Sequence, residues 1–93
     1  MTVSVMTVKL HAPWVHSLKE KRMIVRSLCE KLANRFNVSV IESDAQDLYQ
    51  TIVISIAFLS SSSKIADSTR EAIGAFIEQS TDARIVDLTV EQR

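Results

Sequence analysis

Three basic side chains stand out as candidates for contact with a charged partner: Lys19, Arg22 and Arg26. On a helix they fall within about 60° of one another, so they form a ridge along one side. A ridge of this kind suits RNA phosphate or an acidic protein surface. The plainer reading is a solvated flank whose apolar stems lie along the core edge. Lys31 and Arg35 flank the other side. Lys21 is odder, because its helical angle falls inside the apolar stripe. Either it sits in the first turn, beyond the end of a sheet, or it pairs with an acid there. With Trp14 from the preceding loop, the tentative anion-binding set is Lys19, Lys21, Arg22, Arg26 and Trp14.

That loop, residues 11–16, holds the only tryptophan and both histidines. Trp14 would either stack on a base or fold down as a lid over the core. His11 and His16 have no Asp, Glu or Cys between them, so neither a metal site nor an oriented acid–base pair is expected. Glu42, Asp44 and Asp47 cluster in a predicted hairpin, where paired carboxylates could do acid–base work but more simply make a polar turn. Ser60–Ser63 reads as a strand end followed by a helix cap. Cys29 lies in the predicted helix and behaves as a small apolar residue.

The elements that would position these groups follow from hydrophobic periodicity. Residues 3–11 read as a strand with apolar side chains on both phases, and Pro13 ends it. Residues 17–35 read as a helix opened by a Ser17/Glu20 capping box. Its stripe is Ile24, Val25, Leu28, Cys29, Leu32 and, just beyond, Phe36. Strands are expected at 37–43, 48–59 and 83–90, the last with Val86, Leu88 and Val90 on one face. A second helix is expected at 63–79, burying Ile65, Ala72, Ile73, Phe76 and Ile77. The order βαββαβ, with right-handed crossovers, predicts an α+β ferredoxin-like fold. Its four-stranded antiparallel sheet carries both helices on one face, with 3–11 and 48–59 central.

A chain of 93 residues accommodates a single domain, here 1–93. One glycine, one proline and one cysteine exclude glycine-loop, linker-like and disulfide-framework architectures. The zero net charge hides an asymmetry. Residues 1–36 hold seven Lys/Arg against two acids; residues 37–93 hold four against nine. The longest strongly apolar run, 52–59, is far short of the roughly 20 residues needed to span a bilayer. No membrane association or secretory leader is expected, and a cytoplasmic location is.

The string His16-Ser17-Leu18-Lys19-Glu20-Lys21-Arg22 is followed by Arg35-Phe36-Asn37-Val38-Ser39-Val40, Glu42, Asp44, Gln46-Asp47 and Gln50. This pattern resembles the YlxP-like family, small bacterial proteins grouped as a domain of unknown function. The resemblance covers nearly the whole chain, with the Ser-Leu-Lys-Glu-Lys-Arg string its most specific element. It implies a ferredoxin-like fold and a genomic neighbourhood of translation and ribosome-maturation factors. It implies no catalytic residues. Tyr49 stands where many relatives are expected to carry tryptophan.

The expected function is a non-enzymatic binding module for RNA or a ribosomal surface, acting through the basic first helix, with no cofactor. The alternative is a homo-oligomeric interaction module, most simply a dimer. It would use the sheet face that the helices leave open, where Val3, Val5, Val53, Leu59 and Ile85 are expected. Recognition of the RRM kind is disfavoured because the central strands lack stacking aromatics. An acylphosphatase-like activity on this fold would need an arginine and glycines in the loop before the first helix, and residues 11–16 have neither. A copper-chaperone role would need paired cysteines.

Overall fold

A computed structural model describes residues 1–93 and gives the order β1(Thr2–His11), α1(Leu18–Arg35), β2(Ser39–Asp44), β3(Thr51–Ser60), α2(Ser63–Ser80), β4(Arg84–Gln92). The sheet order is β2-β3-β1-β4, and every neighbouring pair is antiparallel. This is the ferredoxin-like arrangement, with the two apolar strands central. All ten β1 residues pair with β3, from Thr2 opposite Ser60 to His11 opposite Thr51. The long register follows from β-branched side chains that favour the pleat on both strands.

Alternate residues of the central strands point into the core. Met6, Val8 and Leu10 of β1 and Ile52, Ile54 and Ile56 of β3 are fully buried. Val25, Leu28 and Leu32 of α1 and Ala66, Ile73 and Ile77 of α2 cover them. Phe36 and Phe76 meet edge to face at the helix ends, centroids 5.6 Å apart. Ser17 caps α1, accepting from the Glu20 amide at 3.1 Å. Glu20 reaches back to the amide of His16, one residue before the cap, at 3.0 Å. The capping motif is therefore present, with the returning bond shifted by one position.

The sequence reading departs from the structure in α2 and β4. Ile65 is half exposed and Ala72 is on the outer side; Ala66 is the buried residue of that region. Ile65 sits in the first turn of α2, one position off the 66/73/77 stripe. In β4 the pairing with β1 shifts register between Lys9 and Leu10, so Leu10 faces Ile85 while Lys9 faces Asp87. Val86 is the extra residue, and its insertion resets the period-2 alternation. Ile85 consequently packs on the helix-side core with Val90 rather than on the open face. Val86 is exposed and has no partner on β1, whereas Leu88 and Val90 stand opposite Val8 and Met6.

Candidate RNA-facing surface on the first helix

The first helix sorts its basic residues into two environments. Lys19, Arg22 and Arg26 are exposed and line one shallow depression of about 200 Å³ around Met23. Lys19 and Arg22 have no acidic partner within ion-pair range. Arg26 reaches Glu30 one turn on at 3.6 Å, but its side chain is 84% exposed, and such a pair contributes little. The three basic side chains thus lie together on one side of α1.

Lys21 belongs to the other environment and must be removed from the ligand-contacting set. It is 1% exposed. Its ammonium lies 2.8 Å from Oε2 of Glu42 on the edge strand β2. The same ammonium donates to the carbonyl of Ala45 in the β2–β3 turn. Burial of a lysine demands such compensation, because an uncompensated ammonium in the interior is costly. Glu42 Oε2 is itself buried and makes no directional hydrogen bond, so the ammonium is its charge partner. Pairing with an acid beyond the apolar layer is one of the two readings that the odd helical angle of Lys21 allows.

Several polar residues between His16 and Gln50 thus serve to clamp elements together. Ala45 takes a positive φ of 56°, and its amide is held by Asp44 Oδ1 at 2.8 Å. Gln50 donates to the carbonyls of Pro13 and Val15, pinning the β1–α1 loop to the start of β3. Asp47 has no ion-pair partner.

Cys29 is half-buried on α1, and burial raises its thiol above the ordinary value of 9.0, with the Glu42 carboxylate adding to the rise. The thiolate needed for nucleophilic chemistry is correspondingly disfavoured. The sign is fixed by the neutral thiol being preferred in the folded state. Full stability holds below pH 9.0, and some is lost at higher pH as the unfolded thiol ionises first. Thermal melts should therefore fall more steeply above pH 9 for the native chain than for Cys29→Ala. Parallel curves would remove the effect.

Trp14 is 43% exposed and shares one lining with the core residue Leu28 and with Met23, which borders the ridge. Together with Met23, Ile24, Ser27 and Leu28 of α1 and Ser80, Thr81 and Asp82 at the end of α2, it lines a cavity of about 340 Å³. Met23, 67% exposed, borders both this cavity and the basic depression. The contribution from the end of α2 was not anticipated from sequence, since nothing local marks Asp82 as a neighbour of Trp14. His11 and His16 have no third metal-ligating side chain grouped with them. No helix is long and apolar enough to cross a membrane.

The open sheet face keeps four of its five expected apolar residues. Val3 pairs with the exposed Leu59, Val5 with Ala57, and Lys9 with Val53. Ile41 on β2, 61% exposed and aligned with Ser55, joins them. Across the middle runs a hydroxyl row: Thr7 and Ser55 are 3.3 Å apart, and Ser55 lies 2.7 Å from Ser43. Val3, Val5, Ala57 and Leu59 lie on one side of this row, Ile41 lies level with it on the edge strand, and Val53 lies beyond it.

The model of a family described as "Protein of unknown function (DUF503)" matches residues 3–90. The chain belongs to this family. One relative is the protein of Bacillus subtilis (strain 168) called "Uncharacterized protein YlxP". It is 37% identical over 62 residues, which cover 67% of each chain. The family match spans the residues that carry the YlxP-like resemblance. In this DUF503 chain Ser17, Glu20, Lys21 and Glu42 among them act in capping and packing.

Proposed function

We propose that this DUF503 protein is a non-catalytic binding module of the cytoplasm that docks on RNA or an RNA-rich ribosomal surface through α1. The observation that carries this reading is the shared depression of Lys19, Arg22 and Arg26, with Lys19 and Arg22 free of internal partners. Free guanidinium and ammonium groups release counterions from phosphate at little cost to the fold, whereas a lysine held like Lys21 contributes nothing. Three phosphate contacts on a single strand would give a slope of log affinity against log salt of about −2. The variant carrying Arg22→Ala and Arg26→Ala should lower that slope to about −0.7 and weaken binding across sequences. Its unfolding free energy should stay within roughly 0.5 kcal/mol of the parent. Filter binding to ribosomal RNA fragments over a salt series reads the first quantity, and urea melts the second. A flat salt response, or a variant that loses stability instead of affinity, would remove the reading.

A second reading concerns the open sheet face. Val3, Val5 and Leu59 gather at one end of the face with Ile41 beside its middle row, and a second copy of the chain would cover this patch about a two-fold axis. Sedimentation at low micromolar concentration should then show a dimer that Leu59→Lys converts to monomer. A parent chain that sediments as a monomer counts against it.

A further inference from the structure

We infer that the cavity beside Trp14 takes one unstacked nucleobase whose Watson–Crick edge presents N–H donors, with guanine the best fit. This inference rests on the RNA reading above and specifies what the ridge delivers.

The cavity's chemistry differs from that of the ridge next to it. Trp14 is the only aromatic residue in its lining, and Met23 and Ile24 add apolar surface. The opposite wall is acceptor-rich. There α2 ends at Ser80, so its last carbonyls and the negative end of its dipole face this region. Lys31 Nζ takes only the Ser80 carbonyl, at 3.4 Å. Asp82 is exposed and has no ion-pair partner. The Thr81 hydroxyl oxygen accepts from the Ala83 amide at 3.2 Å, which leaves its own proton to donate.

An acceptor wall next to a cationic ridge is selective in two ways. It disfavours an anionic group inside the cavity, so phosphate stays on Lys19, Arg22 and Arg26. It also disfavours a lysine or arginine from a protein partner, which would approach past three positive charges bordering Met23. A neutral heterocycle with N–H donors, tethered to phosphate, satisfies both regions at once. Guanine offers two donors on one edge, N1–H and the N2 amine, which match the two oxygens of a carboxylate. Uracil offers one donor between two carbonyls that would face Asp82. The volume of about 340 Å³ lies at the small end of ligand pockets, about 300–1,000 Å³, and suits a single ring system. Stacking on tryptophan supplies affinity that is indifferent to base identity, so discrimination must come from Asp82.

The test uses uridine octamers with one central guest base, read by filter binding and by the emission of Trp14, the sole tryptophan of the chain. The guanosine octamer should bind about tenfold more tightly than the all-uridine octamer, as for one good bidentate contact. It should also shift or quench Trp14 emission. Inosine, which keeps N1–H and lacks the amine, should fall between. Asp82→Asn should abolish the guanosine preference while leaving the salt slope unchanged. Binding with the expected salt slope but with no guest preference and unchanged emission would overturn this inference and leave the ridge reading standing. No binding of any octamer or ribosomal fragment would overturn both.

Discussion

Replacing Lys21 by methionine should destabilise the fold by about 3 kcal/mol, although the side chain is a charged one on a surface helix. The ammonium is 1% exposed and 2.8 Å from Glu42 Oε2. Without it the carboxylate oxygen remains buried with no partner of either kind. Breaking a buried pair from one side typically costs about 3–5 kcal/mol. The Glu42 side chain is 20% exposed, so water can reach part of it, and the lower end of that range applies. The Ala45 carbonyl loses its donor as well. Removing both charges tells the two costs apart: Lys21→Met with Glu42→Leu should recover most of the loss, because no orphaned charge remains. Urea unfolding of the three variants makes the comparison. A single Lys21→Met chain within 1 kcal/mol of the parent would show that the pair is not needed to hold the β2–β3 hairpin to α1.

Core truncation on the same helix should be sharply position-dependent. Leu32→Ala is expected near 4–5 kcal/mol and Leu28→Ala near 2–3 kcal/mol, within the usual leucine-to-alanine range. Both are buried in the same cluster. Leu32 is completely enclosed, so its removal leaves a void that only structural relaxation can close. Leu28 also lines the cavity beside Trp14, which is open to solvent. The space it vacates would merge with that cavity and fill with water, leaving mainly the lost transfer term. Equal costs at the two positions would mean that the cavity does not communicate with the core at Leu28.

How far the sequence carries depends on the range of the interactions involved. The βαββαβ order and the central position of β1 and β3 are legible because local periodicity and two-sided apolar strands determine them. The basic ridge is legible for the same reason: Lys19, Arg22 and Arg26 need only helical geometry to come together. Lys21 announces itself as an anomaly within the stripe. Its partner Glu42, 21 residues on, follows only from how β2 passes the helix, and this was not deducible from spacing. The inward position of Ile85 does not follow from strand alternation, because a single inserted residue, Val86, puts Ile85 on the same face as Leu88 and Val90. The contribution of Asp82 to the Trp14 cavity is also tertiary, since it depends on where α2 ends relative to α1.

The register shift at Val86 has a counterpart on the opposite border of the sheet. Between Glu42 and Asp44 the pairing of β2 with β3 also slips by one residue, with Ser43 the extra one. Both outer strands are therefore kinked, while the two inner strands run in unbroken register. A straight border would present an uninterrupted row of amides and carbonyls to another molecule. Irregular borders make poor templates for edge-to-edge polymerisation, so a very apolar inner strand pair can be carried in a crowded cell without seeding fibrils.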